Sequence, residues 1–267
     1  MLLVSYLHDP DDLFLPLLSK LELPEELKGS VVAISPTTTA TVRDTVKALG
    51  FEVIEGGLYG TARLNCLKYA LDSSNDQFFF ICDFDKLLHW MRTNPGELTA
   101  MINATPKYDM TMIARSTRAL ATYPETWVQT EQIAMRIMAK IIKQNVDFMN
   151  GPCILSVPAA KNILAGAVET GVGSCTEFCL LTYQKGLSIG NYEVDSLTWE
   201  DPDRYDSLIK DAQSFDDWKY DTYHSLYEWR KRVSFLHTQV EVMIRLVEEP
   251  VNPKFPSVHN RFFEDLK

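Results

Sequence analysis

The stretch from Gln77 to Trp90 reads Gln-Phe-Phe-Phe-Ile-Cys-Asp-Phe-Asp-Lys-Leu-Leu-His-Trp and decides the fold. Its apolar run, Phe78 to Cys82, is typical of a short strand that is buried on both faces. The run ends at two carboxylates one residue apart, Asp83 and Asp85. A desolvated carboxylate is costly unless it meets a cation, so packing alone does not account for the pair. In open α/β sheets, ligands bind beyond the carboxyl ends of the strands, and the pair lies at such an end.

Two carboxylates at a strand end suit Mg²⁺ or Mn²⁺, and Mg²⁺ usually shares its coordination shell with substrate phosphates. A second interpretation is an ordinary strand end followed by a helix with an acidic first turn, which the helix dipole favours. The acid-x-acid triplet alone is compatible with both. The pattern of the surrounding chain favours the metal site.

Strand and helix patterns alternate on both sides of this stretch. Apolar runs predict strands over residues 2–7, 30–35, 51–54, 78–82, 108–114, 153–157 and 187–194. Amphipathic or capped segments between them predict helices, among them a first helix that ends near Leu21 and a long helix from about Glu125 to Val146. This alternation is typical of a mostly parallel, Rossmann-like sheet flanked by helices. After residue 205 the sequence becomes acidic and aromatic, and a final amphipathic helix is predicted over residues 220–247. We therefore expect a main α/β domain over residues 1–205 and a helical extension packed on it over residues 206–267.

Composition excludes several classes of function. The chain has 267 residues, 46% of them hydrophobic, and a formal net charge of −10. Without a basic block, it is not built to hold nucleic acid or an anionic membrane surface. No stretch approaches the roughly 20 apolar residues of a membrane span, and the first residues lack the basic start of a signal peptide. Five cysteines, mostly in apolar contexts, indicate buried thiols in a reducing compartment, so we expect a cytoplasmic protein.

A glycine-rich loop, residues 55–60, leads into a helix that carries Arg63 in its first turn. Glycines let backbone N–H groups approach a ligand, and a helix start favours anions. The loop lacks the Gly-Lys-Ser/Thr ending of a P-loop. A cation is unusual in a first turn because the helix dipole disfavours it. Two interpretations of Arg63 fit the sequence. A phosphate or carboxylate lies nearby, or Arg63 pairs with Glu55 at the surface.

The order of these elements resembles that of the GT-A fold nucleotide-sugar glycosyltransferases, over most of residues 1–205. Four parts carry the resemblance: the opening strand, the segment Gly60-Thr61-Ala62-Arg63, the Asp83-Phe84-Asp85 triplet, and the second half of the domain. That half holds Asn150-Gly151-Pro152 before a strand, then Thr176-Glu177 at a helix start, then a helix that ends at Gly186 before a strand. Within the family, the layout most resembles the soluble enzymes that make small glycosides such as mannosylglycerate.

The resemblance implies a metal-dependent glycosyltransferase that uses a nucleoside diphosphate sugar and a small or soluble acceptor. It implies that Asp85 and Asp83 hold Mg²⁺ or Mn²⁺, which neutralises the leaving diphosphate. Glu177 matches the position of the general base, although an acid there also stabilises its own helix. The residues implied for the donor nucleotide and sugar are Tyr6, Asp9, Arg63, Asp83, Phe84 and Asp85. Those implied for the acceptor are Asn150, Gly151, Pro152, Arg115 and Trp199.

The sequence departs from the family at one place. Many relatives have a third metal ligand, usually His, just after the last strand, whereas this chain reads Thr198-Trp199-Glu200-Asp201 there. Either Glu200 or Asp201 substitutes for it, or Asp85, phosphates and water hold the metal without it.

Two other functions remain open at the level of sequence. A sugar-phosphate nucleotidyltransferase shares such a sheet and acidic site but needs a basic, glycine-rich loop after the first strand, and here that loop is His8-Asp9-Pro10-Asp11-Asp12. A non-catalytic member of the fold would act as a binding or assembly module through its last helix. The apolar stripe of that helix covers its own core or pairs two subunits in a homodimer; its residues are Tyr223, Leu226, Val233, Leu236, Val240, Met243 and Val247.

Overall fold

A computed structural model describes residues 1–57, 59–205, 209 and 214–247. Its centre is a mixed sheet flanked by helices on both faces. The strands are β1 (Leu2–Leu7), β2 (Val31–Ile34), β3 (Glu52–Glu55), β4 (Phe78–Asp83), β5 (Met110–Arg115), β6 (Cys153–Ser156) and β7 (Ile189–Val194).

The helices between and after the strands range from one turn to more than five. In chain order they are α1 (Leu15–Leu18), α2 (Ala40–Ala48), α3 (Tyr59–Ser73), α4 (Phe84–Thr93), α5 (Pro95–Asn103), α6 (Thr117–Leu120), α7 (Glu125–Ile142), α8 (Val157–Gly166), α9 (Ser174–Gln184), α10 (Asp201–Arg204), α11 (Phe215–Tyr223) and α12 (Leu226–Val247). Two short 3₁₀ segments, Glu25–Leu27 and Phe148–Asn150, complete the described helices.

The strand order is β3-β2-β1-β4-β6-β5-β7, and β6 runs antiparallel to both of its neighbours while the other pairs are parallel. Strands β2 and β3 are added in turn on one side of β1, and the chain then crosses to the other side of β1, where β4 pairs with it. This reversal leaves a crevice beyond the carboxyl ends of β1 and β4, where α/β sheets bind ligands. The register of the pair sets Tyr6 directly beside Asp83, so the acid pair lies at the crevice.

Alternate residues of the central strands pack on opposite faces of the sheet, which gives two apolar cores. On one face Val4, Phe79 and Ile81 pack with residues of α3, α7, α8 and α9. On the other face Leu3 and Phe80 pack with residues of α1, α2, α4 and α5. Burial on both faces explains why β4 reads as a continuous apolar run in the sequence.

The helical C-terminal region is present, but the helix predicted over residues 220–247 is two helices. Helix α11 ends at Tyr223 and α12 begins at Leu226. Met243 of α12 is 3% exposed and belongs to the same core as α7 and α9. Trp218 and Tyr223 of α11 pack with Tyr123 and Trp199 in a separate aromatic cluster. The structure thus confirms the predicted α/β fold, with a mostly parallel sheet flanked by helices and with C-terminal helices.

Several predicted helix boundaries are wrong for local reasons. The first helix is a single turn, Leu15–Leu18, rather than a segment reaching Leu21. Helix α7 ends at Ile142 rather than Val146, because Lys143 takes the left-handed conformation (φ 60°) that ends helices. No helix within the described ranges combines the length and the apolar character that crossing a membrane requires.

Candidate functional site

The two carboxylates at the end of β4 line one cavity of about 190 Å³. Asp83 is the last residue of β4 and the N-cap of α4, and Asp85 lies in the first turn of that helix. The walls come from α4, β5, α7, the segments 149–151 and 172–175, the loop before α10, and α12. We call this space the carboxylate cavity; it is lined by Asp83, Asp85, Lys86, Arg115, Tyr123, Trp127, Glu131, Met149, Asn150, Gly151, Val172, Cys175, Glu200, Arg232, Phe235 and Gln239.

Arg63 pairs with Asp83 and not with Glu55. Its side chain is 2% exposed, and its guanidinium donates to Asp83 Oδ1. A second amino group of Arg63 donates to Cys175 Sγ at 3.1 Å. Glu55 instead binds Arg43, at 2.7 Å. Helix α3 begins at Tyr59, so Arg63 lies just beyond its first turn, and the position of this buried cation is explained by a carboxylate of the cavity. The surface pair considered from the sequence is wrong.

Asp85 is the least neutralised acid of the site. Its Oδ1 accepts from the backbone N–H of Lys86 at 2.8 Å, and Arg204 Nη1 lies 3.5 Å from Oδ2. Burial raises the pKa of Asp85 to about 6, and the negative charges of Glu200 and Asp83 act in the same direction. Arg204 and Lys86 offset this only in part. An additional cation at Asp85 would restore the balance of charge.

Two buried cations beside the acid pair are held by carboxylates of their own. Lys86 Nζ lies 2.8 Å from Glu200 Oε1, and both side chains are nearly inaccessible. Burial opposes ionisation of Glu200, but Lys86 beside it keeps the pKa of this carboxyl below its ordinary value. Arg115 lies 2.8 Å from Glu131 Oε2 and 2.9 Å from Asp147 Oδ1. These pairs fix the positions of the cations, since breaking a buried pair is strongly unfavourable.

Asn150 lines the cavity, and none of the residues that the structure describes donates to its side-chain oxygen. Its Nδ2 donates to the carbonyl oxygen of Ile113 at 2.9 Å, which orients the amide. Its Oδ1 is buried and accepts no hydrogen bond from the described part of the chain. Gly151 follows with φ of 96°, a conformation that favours glycine. A buried polar oxygen without a partner in a cavity wall indicates a ligand group, since such atoms are otherwise satisfied.

Glu177, expected as the general base, does not line the carboxylate cavity. Its side chain is fully buried. Its two oxygens accept from the backbone N–H groups of Val168 and Glu169 at 2.9–3.1 Å and from Arg245 at 3.0 Å. Every contact of this carboxylate is therefore structural: it ties the chain before α9 to that helix and to α12. The geometry does not support a role for Glu177 at the reacting atoms.

Four of the other expected binding residues face the interior as well. Asp9 is 1% exposed, and its carboxylate accepts from the backbone N–H groups of Leu13 and Phe14 at 2.8 and 2.9 Å. Phe84 packs in the apolar core, and Trp199 is 4% exposed in the aromatic cluster. The carbonyl oxygen of Pro152 accepts a hydrogen bond from the backbone N–H of Ile113 in β5. None of these four borders the carboxylate cavity.

Tyr6 stays near the acid pair. It is the β1 neighbour of Asp83, and its hydroxyl donates to the carbonyl oxygen of Gly57 at 3.4 Å. Burial raises the pKa of Tyr6, while Ser35 lowers it and the charge of Asp83 raises it further. The structure therefore gathers Asp83, Asp85, Arg115, Asn150 and Gly151 in the cavity wall, and it places Arg63 and Tyr6 against Asp83.

The oxygen donors of the site fit a divalent cation that a ligand helps to hold. Among the described residues, no group of three or more His, Cys, Asp or Glu side chains is arranged to bind a metal. Two aspartates and the unpaired Asn150 oxygen are nevertheless hard donors in one cavity, and Mg²⁺ typically binds through one or two carboxylates with substrate phosphates. The pKa of Asp85 is raised first by burial and then by the negative charges of Glu200 and Asp83, and a bound cation would offset both effects.

Several residues of the cavity were not among those predicted. Lys86, Glu131, Arg232 and Gln239 come from three different helices, and no sequence spacing links them. Lys86 alone left a signal: a cation in the first turn of a helix is disfavoured by the dipole, so it implies a carboxylate partner. That partner, Glu200, is one of the two residues considered from the sequence as a replacement metal ligand, the other being Asp201.

No protein-family model matches the chain, and no curated protein matches it either. Several solved structures are similar in the path of the chain. Glucosyl-3-phosphoglycerate synthase from Mycobacterium tuberculosis, in complex with Mn²⁺, UDP and glucosyl-3-phosphoglycerate, has 10% identity and a TM-score of 0.49, over 94% of this chain and 80% of that one. S. aureus TarS 1–349 has 12% identity and a TM-score of 0.42, over 97% and 76%. CMP:2-keto-3-deoxy-manno-octonic acid synthetase complexed with CTP has 14% identity and a TM-score of 0.40, over 73% and 90%. With TM-scores below 0.5, function has to be argued from the site itself.

Proposed function

We propose that the protein is a metal-dependent glycosyltransferase that moves a sugar from a nucleoside diphosphate sugar to a small or soluble acceptor. The observation that carries the proposal is the placement of Asp83 and Asp85 at the crevice between β1 and β4, in one cavity with the unpaired oxygen of Asn150. In the reaction, the acceptor oxygen bonds to the anomeric carbon. The bond from that carbon to the diphosphate breaks with its electron pair on the diphosphate, and the hydroxyl proton is released to solvent.

Asp83 and Asp85 are the residues that would hold Mg²⁺ or Mn²⁺. When bound, the ion supplies a Lewis acid for the diphosphate, whose negative charge grows as the sugar leaves. Asp85 is suited to this role because its own neighbours leave it incompletely neutralised. Without a bound metal ion, Arg204 neutralises part of the charge of Asp85, since its Nη1 lies 3.5 Å from Asp85 Oδ2.

The buried cations around the cavity supply fixed positive charge. Lys86 and Arg115 keep their positions through Glu200, Glu131 and Asp147, so they need no rearrangement during the reaction. Charges preorganised in this way stabilise a developing anion more effectively than water does. The unpaired Oδ1 of Asn150 accepts a hydrogen bond from a hydroxyl group of the sugar or of the acceptor.

The loop after β1 argues against a nucleotidyltransferase. A triphosphate would need cations or free backbone N–H groups at this loop. Here the carboxylate of Asp9 already occupies the N–H groups of Leu13 and Phe14, and Thr39 donates to Asp12. The loop is thus acidic and satisfied within the protein, which favours a diphosphate sugar over a nucleoside triphosphate.

The proposal predicts donor binding that depends on both Mn²⁺ and Asp85. A thermal-shift screen with UDP-, GDP-, ADP- and TDP-sugars should find one donor that raises Tm in the presence of Mn²⁺. At about 100 times its Kd, the rise should be about 5–10 °C. Asp85→Asn should abolish it because the variant removes the charge that holds the ion. Its Tm without ligand should not fall, since the amide keeps the shape and removes an incompletely neutralised charge.

The matched control is Asp72→Asn, which removes a surface carboxylate paired with Lys68 and should keep the donor-dependent shift. If Asp85→Asn gives the full shift with Mn²⁺, or if no donor shifts the wild-type protein, the proposal is wrong. Release of pyrophosphate from a nucleoside triphosphate and a sugar phosphate would favour the nucleotidyltransferase instead.

A further inference from the structure

A second cavity of about 570 Å³ adjoins the carboxylate cavity and shares Trp127, Arg232 and Phe235 with it. We call it the aromatic cavity, because its walls include the rings of Trp127, Tyr205, Trp218, Tyr223, Tyr227 and Phe235. It is large enough for a small organic molecule. The three shared side chains stand between the two cavities, so Arg232 borders both of them.

Arg232 of α12 is held in one orientation at the junction of the two cavities. Its guanidinium carbon lies 3.3 Å from the centre of the Trp127 ring, and its Nε donates to Glu228 Oε1 at 2.7 Å. Trp127 Nε1 donates to the same oxygen at 2.9 Å. Arg232 therefore stacks on the ring of Trp127, and both side chains donate to Glu228. These contacts together fix the plane of the guanidinium.

The terminal amino groups of Arg232 donate to none of the residues that the structure describes, although the side chain is only 12% exposed. The other cations near the acid pair differ: Lys86, Arg115 and Arg204 each meet a carboxylate through a terminal nitrogen. A guanidinium presents two parallel N–H donors that match a carboxylate or phosphate. Arg232 thus has its stem and Nε anchored while that pair of donors is available at the junction.

The remaining charges of the aromatic cavity also favour an anion. Its wall has the carboxylates Asp201 and Glu228 and three cations, including Lys231. Asp201 accepts from Arg204 and from the Tyr223 hydroxyl, and Glu228 accepts from Trp127, Arg232 and Lys231. Both acids are therefore neutralised inside the protein. With Lys231, which is 43% exposed, the three cations of this wall exceed its two carboxylates by one positive charge.

We propose that Arg232 binds the acidic group, a carboxylate or a phosphate, of the sugar acceptor, and that the acceptor lies in the aromatic cavity with its hydroxyl group towards Asp83 and Asp85. This assignment rests on the proposed glycosyl transfer, because only that reaction makes the second ligand an acceptor. It makes Arg232 a specificity-determining residue that selects acidic acceptors over neutral ones.

The test uses the full chain and three probes that share one ring: phenyl phosphate, benzoate and benzyl alcohol. Binding is followed by calorimetry and by tryptophan fluorescence, since Trp127 stacks on Arg232. Phenyl phosphate or benzoate should bind, and benzyl alcohol should bind about tenfold more weakly or worse. The tighter of the two anions identifies the acidic group as a phosphate or a carboxylate. If neither anion binds better than the alcohol, the proposal is overturned.

Arg232→Gln should lower the affinity for the preferred anion about tenfold or more. The matched control, Arg118→Gln, removes an exposed arginine paired with Asp195 and outside both cavities, so it should bind as the wild type does. Unfolding of each variant without ligand is measured first, because Glu228 loses a partner in Arg232→Gln. If Arg232→Gln does not fold, Arg232→Lys replaces it in the binding test. Lysine keeps the positive charge but lacks the two parallel N–H donors, so this variant should also bind the anion more weakly. Wild-type affinity in a folded Arg232 variant overturns the proposal.

The donor screen separates this inference from the proposed function. If a nucleotide sugar and Mn²⁺ raise Tm but the anions do not bind through Arg232, only the acceptor assignment fails. If the anions bind through Arg232 and no donor binds, the transfer reaction fails, and with it the description of the anion as an acceptor.

Discussion

Carboxylates with the same chemistry have different roles in this protein because their surroundings differ. Asp85 borders the cavity, and its pKa is raised to about 6 by burial and by neighbouring acids. Asp9 and Glu177 are more completely enclosed, yet backbone N–H groups satisfy them. An acid whose charge the fold neutralises stabilises structure, whereas an incompletely neutralised acid in a cavity is available to a ligand.

The contacts of Glu177 predict that Glu177→Gln acts on stability. The new amide group would face the N–H groups of Val168 or Glu169, or the guanidinium of Arg245, and donors cannot pair with donors. We expect the free energy of unfolding to fall by about 1–3 kcal/mol, measured by urea unfolding. Donor binding by the folded variant should match that of the wild type in the Mn²⁺ thermal-shift assay.

Glu169→Gln serves as the control, since this neighbouring side chain lies 3.9 Å from Arg245 and is not fully buried. It should cost less stability than Glu177→Gln. A Glu177→Gln protein with wild-type stability and donor binding but no sugar transfer would contradict this prediction and return Glu177 to the catalytic role.

Sequence patterns predict the acid pair well and its partners poorly. Asp83 and Asp85 follow an apolar run, so their position at a strand end is visible in the chain itself. The cationic partners Arg63 and Arg204 come from α3 and α10, and only the folded sheet brings them to the acid pair. Glu177 was predicted from a motif that places it at a helix start, which is correct, but the motif does not contain Arg245 or the packing that buries it.

At the scale of elements, apolar runs predict where the strands lie but not how they pair. The strands β4 and β5 point in the same direction, and β6 lies between them and runs antiparallel to both. Its sequence, Cys153–Ser156, is nevertheless as apolar as theirs. Its direction depends on the chain around it. Asp109, just before β5, accepts from Ser156 at the end of β6 and from Ser188 just before β7. This one side chain therefore holds the ends of three strands together.

Asp109→Asn should destabilise the protein at neutral pH and have less effect in acid. Hydrogen bonds from Ser188, and one from Ser156, lower the pKa of Asp109 below 3.8. The folded protein therefore binds fewer protons at this group than the unfolded chain does. The stabilisation is fully present above pH 3.8 and is lost as pH falls through the folded pKa. We expect a loss of about 1–2 kcal/mol at pH 7 by urea unfolding, and a smaller loss at pH 3.

The same measurements on Asp72→Asn provide the control, because Asp72 forms an exposed pair with Lys68. That variant should change the free energy of unfolding by less than about 0.5 kcal/mol. An Asp109→Asn effect that is equally large at pH 3 and pH 7 would show that ionised Asp109 is not the source of the stabilisation.

At the scale of the whole molecule, α12 connects the core to the site. Gln239 lines the carboxylate cavity, donates to the carbonyl oxygen of Val172 at 2.8 Å and accepts from Thr176 of α9. Four residues further along α12, Met243 packs in the apolar core that contains residues of α7 and α9. The sequence predicted the apolar stripe of α12 but left open what it covers. Of the residues predicted for this stripe, Tyr223 at the end of α11 and Met243 of α12 are buried, whereas Leu226 and Val233 are exposed. A homodimer through this helix stays a prediction.

If α12 is part of the main folding unit, substitutions in it should destabilise the entire protein. Met243 is 3% exposed, whereas its neighbour Ile244 is 42% exposed. Met243→Ala should lower the free energy of unfolding by about 2–5 kcal/mol, because it leaves a cavity in the core shared with α7 and α9. Ile244→Ala, the matched control, should lower it by less than about 1 kcal/mol. Urea unfolding followed by circular dichroism should show one transition that moves as a whole. Two transitions, of which Met243→Ala shifts only the first, would instead make residues 206–267 an extension that unfolds independently, as a boundary at residue 205 would imply.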